Sequence, residues 1–118
     1  MDGRSLLKLI QGQQEQWRPY IDMEHATCYS DNNYWAAVTD GKIKYIGNFR
    51  NGSEQLFDLR ENPGETHNLS EDAAYQNKLS ELRKMMVEHL SERGDSFVKD
   101  GKLMTLDTTL LYSPNFPK

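Results

Sequence analysis

The sequence contains little of what several large classes of protein need. Its single cysteine, Cys28, excludes an internal disulfide, and no apolar run approaches the ~18 residues of a membrane-spanning helix. The net charge of -4 gives no general attraction to phosphate backbones, which argues against a nucleic-acid-binding protein. The first residues lack the pattern of a signal peptide, and the compartment of the protein stays open.

The residue patterns of common catalytic and metal sites are also missing. The three histidines, His25, His67 and His89, form no H-x-x-x-H spacing, and Cys28 has no second cysteine to pair with on a metal. No glycine-rich phosphate loop is present. Five of the 18 acidic residues fall on the polar face of one predicted helix, where they are expected to be solvated charges: Glu71, Asp72, Glu81, Glu88 and Glu92. The sequence therefore predicts no metal site and no catalytic residue within the chain.

The 118 residues suit one domain, and hydrophobic and charged fractions of 36% and 27% lie within the globular range. The signals favour antiparallel strands over 17–59, because Asp40-Gly41 and Asn51-Gly52 are strong turn sequences between strand-like runs. The expected sheet has three or four strands. A two-residue loop at Asp40-Gly41 predicts three opposed pairs: Val38 with Ile43, Ala36 with Tyr45 and, on the other face, Trp35 with Ile46.

The clearest helix is predicted over 70–93, with Ser70 as its N-cap and Gly94 as its end. Its apolar residues recur at helical spacing and form one stripe: Tyr75, Leu79, Leu82, Met86 and Leu90. A small hairpin around Asp100-Gly101 and an irregular tail are expected over 94–118. The predicted fold class is α+β, with a small antiparallel sheet packed against one long amphipathic helix and irregular ends.

The two ends of the chain carry apolar residues that this fold does not use. Residues 1–16 are predicted to form a connecting helix over 5–11, capped by Ser5, followed by a linker. A helix of two turns is not stable by itself in water, because nucleation costs more than its few hydrogen bonds return. The apolar residues at the two ends are Leu6, Leu7, Leu9, Ile10, Leu110, Leu111, Tyr112 and Phe116. Such residues indicate a missing neighbour, or a dimer of this chain formed through its apolar ends.

One segment combines aromatic and polar side chains on a predicted edge strand. It runs over 17–29 as WRPYIDMEHATCY. Aromatic rings beside polar groups suit the recognition of a sugar or an aryl group, whereas the simpler interpretation is an ordinary edge strand with mixed faces.

Four segments in order resemble arylsulfatase-type sulfatases. The run EQLFDLRENPGETHNL (54–69) is similar to the "LFDL…DPxExxNL" segment near the C-terminus of that family. DGRSL (2–6) resembles the "DGxSL" that opens its C-terminal part, and YWAAVTDGKIKY (34–45) resembles its "tdgkwKYi" hairpin. The closing YSPNFP (112–117) is also similar to the family.

The resemblance implies a larger protein whose N-terminal domain has an alkaline-phosphatase-like α/β fold. In that family this domain holds calcium and a formylglycine made from a C/S-x-P-x-R motif, and the hydrated aldehyde attacks sulfur. Here the residues two positions before the four prolines are Trp17, Glu61, Tyr112 and Asn115, so the motif is absent. The chain is therefore expected to be a non-catalytic C-terminal fragment of a sulfuric ester hydrolase, inactive alone.

The family's C-terminal subdomain lies beside the catalytic sheet, which implies a role in shaping the substrate-binding side. The expected partners are the missing N-terminal domain and a sulfated small molecule or sugar. The residues expected to approach the substrate are Glu24, His25, Tyr29 and Trp35, with Arg18 a weaker candidate. The alternative is a free-standing binding module for sulfated carbohydrate or a protein partner.

Overall fold

The computed structural model describes residues 5–13, 18–25, 30 and 32–107. A four-stranded antiparallel sheet in the order β1-β2-β3-β4 carries one long helix, and a two-stranded hairpin follows. The elements are α1 (Leu7–Ile10), β1 (Ile21–His25), β2 (Trp35–Thr39), β3 (Ile43–Asn48), β4 (Glu54–Asp58), a 3₁₀ turn (Ala73–Tyr75), α2 (Gln76–Ser91), β5 (Val98–Lys99) and β6 (Lys102–Leu103). The predicted α+β class is confirmed, with four strands in the sheet.

The register of the β2–β3 hairpin differs from the predicted one by two residues. Val38 lies opposite Tyr45, Ala36 opposite Gly47, and Trp35 opposite Asn48. The loop is Gly41-Lys42 rather than Asp40-Gly41. A shift by two residues leaves every side chain on its predicted face, because side chains alternate along a strand.

The reason for the shift lies in the side chain of Asp40. Its Oδ1 accepts from the backbone N–H groups of Lys42 and Ile43, at 2.9 and 2.8 Å. Asp40 therefore precedes the turn instead of occupying it, and Gly41 takes the position that needs positive φ, with φ +87°. Thr39 closes the same turn, because its Oγ1 donates to the carbonyl of Ile43.

The long helix begins later than predicted. Ser70 is not its cap: Asp72 caps a preceding 3₁₀ turn, since its Oδ1 accepts from the N–H of Ala74 at 2.9 Å, and α2 itself has Tyr75 at its N-cap position, without a side-chain cap. The 3₁₀ turn then leads into α2 at Gln76, and α2 ends at Ser91, just before Gly94 with φ +90°. An aspartate cap also suits the positive end of the helix dipole.

The core lies between α2 and one face of the sheet, here called the helix face. The apolar stripe of α2 is buried at Leu79, Leu82, Met86 and Leu90, while Tyr75 is only partly buried. It packs on side chains of β2, β3 and β4, namely Ala36, Val38, Ile43, Tyr45 and Leu56. This burial is the main source of stability, because the free energy gained scales with the apolar area removed from water.

The end of the described chain closes over one end of this core. Phe97, next to the β5–β6 hairpin that the sequence predicts, stacks edge-on against Phe49 at 5.6 Å. The N–H of Leu106 donates to the carbonyl of Phe49, and the guanidinium of Arg50 donates to the carbonyl of Leu106. The apolar residues predicted over 110–116 lie outside the described residues.

The N-terminal helix is shorter than predicted. It covers Leu7–Ile10, Leu6 occupies the cap position, and Ser5 only accepts from the N–H of Leu7 at 3.3 Å. None of its residues is buried. No helix in the described part of the chain has the length and apolar character that crossing a membrane requires.

Candidate functional site

The sheet has a second face, turned away from α2, which we call the outer face. Strand alternation and the observed register place His25 and Trp35 there side by side, and Met23, Ala37 and Ile46 form the next row. Ala37 is fully buried, but the other four side chains are only partly buried. The outer face therefore presents aromatic and apolar groups that the core does not use.

His25 and Trp35 form a stacked pair on this face. Their ring centroids are 5.5 Å apart and the rings are tilted by 16°. Asn33 holds both rings, because its Oδ1 accepts from Trp35 Nε1 at 3.1 Å and its carbonyl oxygen lies 3.1 Å from His25 Nδ1. A carbonyl oxygen only accepts, so this contact requires the hydrogen of His25 on Nδ1. In the neutral form of the ring, Nε2 is then the acceptor.

A cation stands next to the stacked pair. Lys44 Nζ lies 6.0 Å from the centroid of the Trp35 ring, at the outer limit of a cation–π contact. The same ammonium donates to both carboxylate oxygens of Glu65, at 2.8 and 3.1 Å, and the Lys44 side chain is only 14% exposed. Lys44 is thereby fixed in position beside Trp35, with its charge balanced by Glu65.

Glu24 points to the opposite side of the sheet from His25 and Trp35. Its carboxylate accepts from Arg93 near the C-terminal end of α2, at 2.9 Å for one oxygen, and a second guanidinium nitrogen contacts the other oxygen. One row away, Asp22 Oδ2 lies 3.2 Å from His89 Nε2, without hydrogen-bond geometry. Glu24 therefore ties β1 to α2, and the structure does not bring it together with the aromatic pair.

Two predicted site residues remain to be placed. Arg18 precedes β1 and is partly buried, and Tyr29 lies outside the described residues. Sequence reasoning missed Asn33 and Lys44. Asn33 was detectable in principle, because it precedes Trp35 by two positions and shares its face in an extended chain.

A second polar cluster lies on the helix face. Arg83 donates to both carboxylate oxygens of Glu54 at 2.6 and 2.7 Å, and Tyr45 donates its hydroxyl hydrogen to the same carboxylate at 2.7 Å. The hydrogen bonds from Arg83 lower the pKa of Glu54, while burial and then the Glu54 carboxylate raise the pKa of Tyr45. All three groups satisfy one another, which is the pattern of a structural ion pair.

A cavity of about 290 Å³ opens beside this cluster and is lined in part by Phe49, Leu103 and Met104. It falls at the lower limit of the volumes that small-molecule sites usually have, about 300–1,000 Å³. Among the residues that the structure describes, no three His, Cys, Asp or Glu side chains converge in the manner of a metal site. The stacked pair on the outer face is thus the strongest candidate for ligand recognition.

Comparison with known proteins identifies the relatives of this chain. It is 32% identical over 104 residues to an arylsulfatase of Clostridium perfringens, a match that covers 88% of this chain and 21% of that protein. The predicted resemblance to the sulfatases is confirmed. A Delta 4,5-hexuronate-2-O-sulfatase of Bacteroides thetaiotaomicron is 27% identical over 97 residues, which cover 80% of this chain and 20% of that sulfatase. No family model matches the chain.

The fold agrees with the sulfatase resemblance. The solved structure of a 2-O GAG sulfatase superposes with a TM-score of 0.70 at 25% identity, over 83% of this chain and 22% of that sulfatase. The chain spans about a fifth of the length of the curated sulfatases it matches, 21% and 20%. This coverage fits the expected C-terminal subdomain of an arylsulfatase-type sulfatase.

Proposed function

We propose that this chain is the C-terminal segment of a sulfuric ester hydrolase, and that it completes the fold and shapes the substrate-binding side without supplying catalytic groups. The observation that carries the proposal is the match to about a fifth of an arylsulfatase. The absence of a C/S-x-P-x-R motif from the sequence supports the non-catalytic role. We expect calcium and formylglycine to belong to the remaining four-fifths of such an enzyme.

The contribution of this chain to substrate binding is assigned to His25 and Trp35. A tryptophan ring can stack on the C–H face of a sugar. Beside it, His25 Nε2 can accept from a sugar hydroxyl, and Lys44 Nζ can donate to a hydroxyl, carboxylate or sulfate oxygen. The names of two relatives, a hexuronate-2-O-sulfatase and a 2-O GAG sulfatase, favour a sulfated sugar as the substrate class. Glu24 is assigned a structural role, because Arg93 already occupies its carboxylate.

The first experiment tests the lack of catalytic groups. The purified 118-residue chain is incubated with 4-nitrophenyl sulfate, with and without calcium, and the release of nitrophenol is followed. We expect no turnover above that of buffer. Turnover that co-purifies with the chain would overturn the proposal.

The second experiment tests the substrate contacts in an exchanged enzyme, in which this chain replaces the matching fifth of the Clostridium perfringens arylsulfatase. His25→Ala and Trp35→Ala are compared with His67→Ala, an exposed loop histidine. We expect each outer-face substitution to lower kcat/KM for a 2-O-sulfated sugar, relative to that for 4-nitrophenyl sulfate, about tenfold, because one stacking contact contributes ~1 kcal/mol or slightly more. An unchanged ratio would remove His25 and Trp35 from the substrate site.

The same outer face allows the second candidate function, a free-standing module for sulfated carbohydrate. It predicts that the isolated chain binds a sulfated disaccharide, in calorimetry, with a heat that His25→Ala abolishes. The sulfatase proposal predicts no such binding, since the substrate site would need the larger domain. Calorimetry of the isolated chain therefore separates the two functions.

A further inference from the structure

The exposed apolar side chains of the described residues are concentrated in one part of the chain. The large hydrophobic residues that remain exposed are Leu6, Leu7, Leu9, Ile10 and Ile21, and four of these five belong to α1 or its cap. Ile10 is 79% exposed and Leu7 is 59% exposed. Apart from Ile21 in β1, the rest of the described chain buries its large apolar residues at least partly. Such a concentration of exposed apolar side chains on α1 is typical of a surface that packs against a partner.

The length of α1 leads to the same conclusion. It has four residues, and none of them is buried. A single helical turn is unfavourable in water, because the entropy lost in forming it exceeds what its few hydrogen bonds return. The backbone carbonyls of Leu6 and Leu7 nevertheless accept the N–H groups of Ile10 and Gln11, both at 3.0 Å. A turn of this kind persists when its apolar side chains pack against a partner.

We infer that α1 docks, through Leu6, Leu7, Leu9 and Ile10, onto an apolar surface of the larger domain of the same sulfatase polypeptide. This inference rests on the proposed function, and it names the surface by which the segment joins the rest of the enzyme. The similar arylsulfatase leaves about four-fifths of its length for that domain, since the match covers 21% of it.

The small size of the surface favours a covalently attached partner over a second copy of this chain. Four side chains offer only a few hundred Å², whereas a stable interface between separate proteins buries about 800 Å² on each side. A partner in the same polypeptide has a high effective concentration, so a small patch is enough to keep it docked. Docking of α1 on its own sheet is disfavoured, because the structure leaves all residues of α1 unburied with the sheet present.

The test compares the isolated 118-residue chain with the exchanged enzyme. The variant Leu7→Ser/Ile10→Ser removes the two most exposed apolar side chains, and Gln11→Ser, at the end of the same helix, is the matched control. We expect the double substitution to lower the melting temperature of the exchanged enzyme by several degrees and to leave that of the isolated chain unchanged within about one degree. Gln11→Ser should change neither.

Hydrogen exchange of the unsubstituted proteins supplies a measurement that does not require any variant to fold. The amides of Ile10 and Gln11 should exchange at least about tenfold more slowly in the exchanged enzyme than in the isolated chain. Equal exchange rates would overturn the inference, as would an equal loss of melting temperature in both proteins, which would mean that α1 packs on its own body. A dimer of the isolated chain that Leu7→Ser/Ile10→Ser dissociates in light scattering would assign the surface to a second copy and would also overturn it.

These measurements report stability and protection, not substrate preference. If α1 docks but the substitutions at His25 and Trp35 leave the substrate ratio unchanged, the docking surface stands and the proposed substrate role fails. If the substrate ratio changes while the amides of α1 exchange equally fast in both proteins, the proposed substrate role stands and the docking surface fails.

Discussion

Replacing Asp40 should destabilise the fold through the β2–β3 turn, in a way that depends on pH. One carboxylate oxygen accepts from two backbone N–H groups, and the other lies 2.9 Å from the ammonium of Lys78 in α2. Asp40 thus fixes the turn and links it to the long helix. Asp40→Asn keeps an acceptor for the backbone and removes the charge, whereas Asp40→Ala removes both.

The expected loss of stability follows from the ionisation of the Asp40 carboxyl. Burial alone would raise its pKa, but the N–H of Ile43, the ammonium of Lys78 and the N–H of Lys42 together lower it from 3.8 to about 2. One pKa unit corresponds to ~1.4 kcal/mol. Because the side chain is 21% exposed, solvent screening reduces the stabilisation that this pKa shift would otherwise represent. We therefore expect the ionised carboxyl to contribute about 1–2 kcal/mol to the free energy of unfolding at neutral pH.

The direction of the pKa shift also gives the pH range over which this contribution disappears. The folded-state pKa lies below the unfolded one, so the stabilisation is complete above pH ~4 and is lost as the pH falls towards about 2. Asp40→Asn should therefore cost about 1 kcal/mol at pH 7, and Asp40→Ala about 2 kcal/mol, since it also leaves two turn N–H groups without their acceptor. The difference between wild type and Asp40→Asn should shrink on acidification.

Urea denaturation of the 118-residue chain, followed by tryptophan fluorescence and far-UV circular dichroism between pH 7 and pH 2.5, measures these differences. Asp95→Asn is the matched control, because Asp95 is an exposed aspartate in the loop after α2. It should change the midpoint little at any pH. An Asp40→Ala variant as stable as wild type at pH 7, or a loss from Asp40→Asn that stays constant down to pH 2.5, would refute this account of the turn.

Two further pairs of substitutions test the core and its polar neighbour by the same assay. Leu82→Ala, at a fully buried position of α2, should cost about 2–5 kcal/mol, whereas Leu7→Ala, at a position 59% exposed, should stay within about 0.5 kcal/mol in the isolated chain; similar losses would contradict the assignment of the core. Tyr45→Phe should cost about 1 kcal/mol, and Glu54→Gln should cost more, because it also leaves Arg83 without its carboxylate. A larger loss from Tyr45→Phe than from Glu54→Gln would contradict the hydrogen-bond network of Tyr45, Glu54 and Arg83.

The sequence was sufficient for the elements and the faces of the fold, because these follow from periodicity. The stripe from Leu79 to Leu90 predicts which side of α2 is buried, and strand alternation places Val38 and Tyr45 together against it. It was not sufficient for the hairpin register. Asp-Gly reads as the two turn residues, and only the position of the Asp40 side chain shows that aspartate stands before the turn and Gly41 within it.

The site was harder to predict, because closeness in sequence and closeness on a strand are different properties. Glu24 and His25 are consecutive, which suggested one binding cluster, but consecutive residues of a strand point to opposite faces. The contact of Glu24 with Arg93 spans 69 positions, and nothing in the local pattern of β1 signals it. The pairing of His25 with Trp35, by contrast, depends only on the β1–β2 register.

The division of the sheet into two faces gives a way to interpret substitutions in this chain. On the helix face, polar groups such as Glu24 and Glu54 already have fixed cationic partners, so replacing them changes stability wherever it is measured. On the outer face, His25 and Trp35 are held by Asn33 and remain partly exposed, so we expect their replacement to remove the proposed substrate contact with little loss of packing. A substitution that changes substrate preference without moving the melting temperature should therefore map to the outer face. One that lowers the melting temperature only in the exchanged enzyme should map to α1.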